Sequence, residues 1–132
     1  MGDTSAASNQ GTIEQLEFFP RPTKNEICQV KRELESYYKD RMQLLALEHR
    51  GIHRMAPMKI VEYRKKLNRL NDLHCAVQMI VDKSIKEVIE CRYIEGNTNK
   101  WTVAHFQPWD ESTVNRKLSE GIRVIADALK MM

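Results

Sequence analysis

The sequence predicts an all-α protein, a long antiparallel helical pair followed by a C-terminal helix-turn-helix. Three observations predict it. Apolar residues recur at steps of three and four along most of the chain, as one buried face of a helix requires. No sustained period-two alternation competes, so no strand is expected. Residues 101–118 then read as a short apolar helix, a proline-bearing turn and a capped helix start.

The elements follow in order. Residues 1–12 are small and polar, and are expected to lack structure. Ile13, Leu16, Phe18 and Phe19 form a brief apolar-acidic patch, halted by Pro20 and Pro22, that is expected to dock on the body rather than on a partner. Together these make an N-terminal arm, residues 1–22, disordered or loosely docked. The first long helix starts after Thr23, a good N-cap, and Glu26 three residues on completes a capping-box pattern. Ile27, Val30, Leu34, Tyr37, Leu44 and Leu45 form its stripe, and Gly51 ends it. After a loop at 49–57, Pro57 opens a second long helix as a good first-turn residue. Its stripe is Ile60, Tyr63, Leu67, Leu70, Leu73, Val77, Ile80, Val81, Ile85, Val88 and Ile89. A break near Asp82 gives a separate helix over 83–94, and Gly96–Asn99 is a loop. The chain therefore divides into a helical hairpin, 23–81, and a helix-turn-helix region, 82–132. Heptad-like spacing at Ile27, Val30, Leu34 and Tyr37 allows a coiled coil, which Arg41 interrupts. A hairpin within one chain and a homodimer stand as equal alternatives.

The helix-turn-helix is the part that points to a function. Pro108 cannot continue the helix that ends at Phe106, and Gln107 before it is pushed from helical geometry. Asp110 stands where an N-cap is wanted. Ala104 is small where two helices must approach, and Trp109 is large enough to plug the angle between them. Beyond Asp110, Val114, Leu118, Ile122, Ile125 and Leu129 make one buried stripe. Glu111, Ser112, Asn115, Arg116 and Ser119 are left outward. Asn and Arg pair bidentately with adenine and guanine edges, and Ser serves base or phosphate. Lys100, Lys117 and Arg123 are placed for phosphates. The same pattern also fits a plain helical hairpin with no nucleic-acid role, and Glu111 counts against a strongly basic entry point.

Composition sets the bounds. The 132 residues suit one domain with an appended arm. A net charge of +3 and a pI near 8.8 are compatible with DNA binding without arguing for it. Cys28, Cys75 and Cys91 are widely spaced among helical residues and read as buried thiols in a reducing compartment, with no CxxC pair for a zinc module. No signal-peptide pattern and no membrane-length apolar run are present, so an intracellular, soluble protein is expected.

Catalytic constellations are absent from the sequence. There is no nucleophile elbow, no phosphate loop and no H-E-x-x-H, so neither an enzyme nor a metal or other cofactor is expected. His49 and His53 have metal-ligand spacing, yet Gly51 lies between them and no third ligand follows, so a solvated pair is favoured. His105 is expected to pack and His74 to sit at a helix rim. Arg64, Lys65 and Lys66, with Lys59 and Arg69 nearby and Arg50 and Arg54 in the adjoining loop, would either extend a DNA footprint or form a solvated helix face.

From Ile89 onward the chain resembles the C-terminal half of the RinA/ArpU-type phage transcriptional regulators, itself similar to the region-four helix-turn-helix of sigma factors. The residues that carry the resemblance are Ile89-Glu90-Cys91-Arg92-Tyr93-Ile94, a polar loop, Trp101-Thr102-Val103-Ala104, Asp110-Glu111-Ser112-Thr113-Val114-Asn115-Arg116 and the closing Ile125-Ala126-Asp127-Ala128-Leu129. The resemblance covers about a third of the chain, and Gln107-Pro108-Trp109 departs from the glycine usual in the turn. It implies that Ser112, Thr113, Asn115 and Arg116 face double-stranded DNA, while Ala104, Trp109 and Val114 hold the unit together. It further implies an activator of phage or mobile-element late genes, working beside RNA polymerase at a promoter in a bacterial host's cytoplasm. Two rivals stand beside it: a helical protein-interaction module that binds another regulator, and a small-terminase-like DNA-packaging protein.

Overall fold

The computed structural model describes residues 21–132. The expectations for residues 1–20, a structureless start and a docked patch at 13–19, lie outside the described residues. Among those described, the protein is all-helical. It has five α-helices, α1 (Lys24–Arg50), α2 (Pro57–Gln78), α3 (Lys83–Ile89), α4 (Asn99–His105) and α5 (Glu111–Met131), and no strand.

Each boundary has a local cause. The Glu26 N–H donates to the Thr23 hydroxyl at 3.2 Å, and the Thr23 N–H donates to the Glu26 carboxylate at 2.7 Å, closing a capping box at the start of α1. Gly51 ends α1 with φ 99°, where a side chain would be strained. Pro57 opens α2, as its spare position in the first turn allows. The Asp82 carboxylate caps α3, accepting the Ser84 N–H at 2.9 Å and the Ile85 N–H at 3.2 Å. The helix does not run on to 94 as a regular α-helix. Glu90–Ile94 form one wider turn, closed by the Glu95 N–H on the Glu90 carbonyl at 2.9 Å.

Side-chain bonds join α1 and α2 at several points. Tyr63 donates to Glu48 at 2.6 Å, Tyr37 meets His74 at 3.4 Å, and Arg69 clamps Glu33 with two bonds of 2.8 Å. The last helix, α5, lies against both and against α3. Lys130 near its end reaches Glu26 at the start of α1, at 3.0 Å. One hydrophobic cluster then joins Leu34 of α1, Leu73 and Val77 of α2, Ile89 of α3 and Ile125 of α5, all fully or almost fully buried.

The face that α5 buries is wider than the sequence stripe. Val114, Leu118, Ile122 and Ile125 are inside as expected, and Gly121, Ala126 and Ala128 join them. Gly121 is the contact point with α3. A Cβ there would stand 2.4 Å from Ile89 Cγ1 and 3.1 Å from Ile85 Cγ2. Glycine inside a helix costs about 1 kcal/mol in propensity. Full burial of a side chain the size of Ile89 contributes roughly 1.5–3 kcal/mol, so the close approach wins.

Several expectations are corrected. Leu45 is 47% exposed, because it lies off the face that α1 turns to α2. Val81 is 97% exposed, because α2 has ended and the helical period no longer directs it inward. Cys28 and Cys75 are exposed and only Cys91 is buried: the first two sit one step off their helix stripes. Ala104 is exposed as well, so the small-residue contact expected there is made instead by Gly121.

Gly121→Ala should lower stability by roughly 1–3 kcal/mol in urea unfolding, although alanine is the better helix former. Ile89→Ala, which removes both carbons in the way, should therefore cost less in the Gly121→Ala background than in the native protein. Stability equal to the native protein in Gly121→Ala would contradict the packing described.

Candidate nucleic-acid interface

The segment from α4 to α5 is assembled by short-range chemistry. The Thr98 hydroxyl caps α4 by accepting the Trp101 N–H at 3.1 Å. Thr102 is fully buried, and its hydroxyl is satisfied by donating to the Thr98 carbonyl at 2.8 Å. Ahead of it, the Asn97 side chain donates to the Cys91 carbonyl at 2.9 Å and Arg92 donates to the Asn97 carbonyl at 3.1 Å, locking the loop onto the wide turn.

After α4 the turn is built from aromatic rings. Trp101 stacks on His105 (4.9 Å between centroids), His105 meets Phe106 edge-on, and Phe106 stacks on Trp109 (5.7 Å). Trp109 is half-buried and does fill the angle before α5. His105 is exposed and stacks on the half-exposed Trp101, and His74 sits half-buried at a rim as expected. Asp110 then caps α5, its carboxylate accepting the Thr113 N–H at 2.8 Å. That bond, and then the Thr113 hydroxyl, hold the Asp110 carboxyl below the ordinary aspartate range.

The first three turns of α5 present two faces. Val114 and Leu118 point into the core. Glu111, Ser112, Asn115, Arg116 and Ser119 are all exposed: Ser112, Arg116 and Ser119 turn away from the core, and Glu111 and Asn115 lie at the edge of the buried stripe. Arg116 pairs with Glu120 across one helical turn at 3.2 Å, a surface pair that an anionic ligand competes with easily. Asn115 and Ser119 border a polar groove shared with Lys31 and Glu35 of α1 and Arg92 of the wide turn.

Other candidates fall elsewhere. Thr113 is half-buried at the cap, with its backbone occupied by Asp110. Lys117 is half-buried, donates to the Ser84 hydroxyl at 2.9 Å and lies over the Trp109 ring at 4.7 Å, so it braces α3 against the turn. Lys100 is exposed on α4. Arg123 is exposed about 16 Å along α5 from Ser112 and borders a separate groove with Arg21 and Asp127. Sequence reasoning missed Thr102, Asn97 and Gly121. Gly121 was the most detectable of them, being a glycine inside an unbroken helical stripe.

Charge is distributed unevenly. Residues 82–132 carry eight Lys or Arg and eight Asp or Glu, a net of zero. Residues 39–69, the far end of the α1–α2 pair, carry nine against three, a net of +6. Part of that is internally matched: Arg69 to Glu33, Lys66 to Asp40 at 3.4 Å, and Lys59 to Glu62 at 3.7 Å. Both His49 and His53 are exposed, and no group of side chains among the described residues is arranged to hold a metal. No described helix is long and apolar enough to cross a membrane.

No family model, no curated protein and no solved structure matches this chain.

Asp110→Ala should lower the melting temperature at neutral pH. The folded-state pKa of Asp110 lies below its unfolded value of about 3.9, so its stabilisation is present above that pH and fades as pH falls through the folded value. Melting curves of native and Asp110→Ala protein should therefore converge below about pH 3.9. A gap that stays constant into acid would remove the charged cap from the account.

Proposed function

We propose that this protein is a sequence-specific DNA-binding transcription regulator, an activator of the RinA/ArpU type, with α4 and α5 as its helix-turn-helix behind a long antiparallel helical pair. One observation carries the reading. At the start of α5, Ser112, Asn115, Arg116 and Ser119 stand exposed over one arc beside the buried stripe, with Arg116 opposite Val114 and Leu118, while the remainder of the helix is anchored in the core. A helix N-terminus held in this way is suited to the major groove, where rigid placement makes base contacts specific.

In this reading Asn115 and Arg116 contact base edges, and Ser112 and Ser119 reach base or phosphate. Arg116 leaves Glu120 for a guanine, exchanging a solvated surface pair for a bidentate one. Lys100 reaches phosphate from α4, where its ammonium is solvated, and Arg123 reaches it only where DNA bends along α5. Thr113 and Lys117 act as braces for the unit. RNA polymerase beside the bound site is the partner implied for an activator.

A specific observation favours one rival. The net charge of zero over residues 82–132 gives weak long-range attraction for DNA, and suits a surface that binds another regulator. Salt separates the two, because DNA affinity falls steeply as salt rises and neutral protein contacts do not.

Selection from random duplexes tests the proposal. The native protein should enrich one motif, and Arg116→Ala should bind it about 1–3 kcal/mol more weakly with relaxed preference at one position. Unchanged affinity and preference in Arg116→Ala would remove that residue from base reading. Failure of the native protein to enrich any motif would favour the protein-interaction reading.

A further inference from the structure

The far end of the α1–α2 pair has a groove of about 450 Å³ that no other described helix lines. Leu44, Leu47 and Met55 give it apolar walls, and Arg50, Arg54 and Lys59 stand on its rim. Arg50 and Arg54 make no ion pair among the described residues. Met58 and Val61 on the same end are 78% and 59% exposed. Apolar walls under a cationic rim recognise a segment that has large apolar side chains and carboxylates close together. A bare phosphate backbone satisfies only the rim.

The chain contains such a segment. Residues 13–19 read Ile-Glu-Gln-Leu-Glu-Phe-Phe, and residues 1–20 hold three carboxylates and no Lys or Arg. Its Leu16, Phe18 and Phe19 cannot reach the groove of their own molecule. Gln43, the groove residue nearest the start of α1, stands about 30 Å along the helix from Thr23 at 1.5 Å per residue. A fully extended chain carries Phe19, Phe18 and Leu16 at most about 14, 18 and 25 Å from Thr23.

We propose that the groove takes residues 13–19 of a second copy of this chain, making the protein an arm-exchanged dimer. Two copies related by a two-fold axis, with their α1 helices in opposite directions, bring each arm to the other's groove, so both grooves fill at once. Phe18 and Phe19 pack between Leu44, Leu47 and Met55, and Glu14 and Glu17 meet Arg50 and Arg54. The proposal stands whether or not α5 reads DNA.

Sedimentation equilibrium of the full chain, from micromolar to about 100 µM, tests it. The native protein should be dimeric at the upper end. Phe18→Ala/Phe19→Ala should weaken the dimer at least about tenfold. Glu14→Lys/Glu17→Lys and Arg50→Glu/Arg54→Glu should each be monomeric alone and should dimerise when mixed, because mixing restores opposite charges at both grooves. That rescue also shows that both variants fold. A native protein that stays monomeric, a dimer indifferent to these substitutions, or a mixture that does not associate would each overturn the proposal. So would an Arg50→Glu/Arg54→Glu variant that stays dimeric and loses only its affinity for a random duplex, which would assign this end to phosphate.

Discussion

Everything in this fold leans on the contact between α5 and α3 at Gly121. Without a Cβ at that position the last helix settles onto Ile89 and Ile85, and from there it spans the bundle. Its buried face reaches α2 through the shared core, and its final turn reaches the first turn of α1 through Lys130 and Glu26. One helix is thus both the central strut of the core and the presenter of the exposed face at Ser112–Ser119. Any displacement of α5 at Gly121 moves that face with it. In interiors packed at crystal-like density, such a shift is not absorbed locally.

The turn before α5 solves a second problem, that of holding a helix start at a fixed angle on a small scaffold. Phe106 and Trp109 stack on each other and pack against the core in this turn, and the more exposed Trp101 and His105 extend the row of rings back along α4. Lys117 closes over the last ring and ties it to Ser84. Lys117, one of three residues expected to touch phosphate, is therefore occupied in holding geometry. Rigid placement of a few side chains matters more for specific recognition than one additional cation.

Much of the architecture was legible in the chain because its signals are local. Thr23 with Glu26, Gly51, Pro57, Asp82 and Asp110 each mark a helix boundary by chemistry confined to three or four residues, and each boundary falls where that chemistry puts it. The misreadings arise where a tertiary partner decides. Ala104 is the right size for a helix crossing, but the crossing is at Gly121, which depends on where Ile89 stands. Leu45 and Val81 carry the right side chain in approximate register, yet no neighbour is there to cover them. Of the candidate DNA-facing residues, Ser112, Asn115, Arg116 and Ser119 follow from helical period alone and are exposed together. Lys117 was not legible, because its partners Ser84 and Trp109 lie on different elements. Charge distribution tells a third story: the acidic first twenty residues offset half of the positive charge at residues 39–69, which the modest total of +3 does not reveal.

The central claim is that the exposed face of α5 is directed at DNA. Capture of fragmented DNA from the source genome by the purified full chain, sequenced after washing at about 150 mM salt, tests it most directly. The account predicts one or a few strongly enriched sites lying next to promoters. Enrichment no greater than that of a beads-only control would contradict it, leaving α5 as the strut of a protein-binding domain.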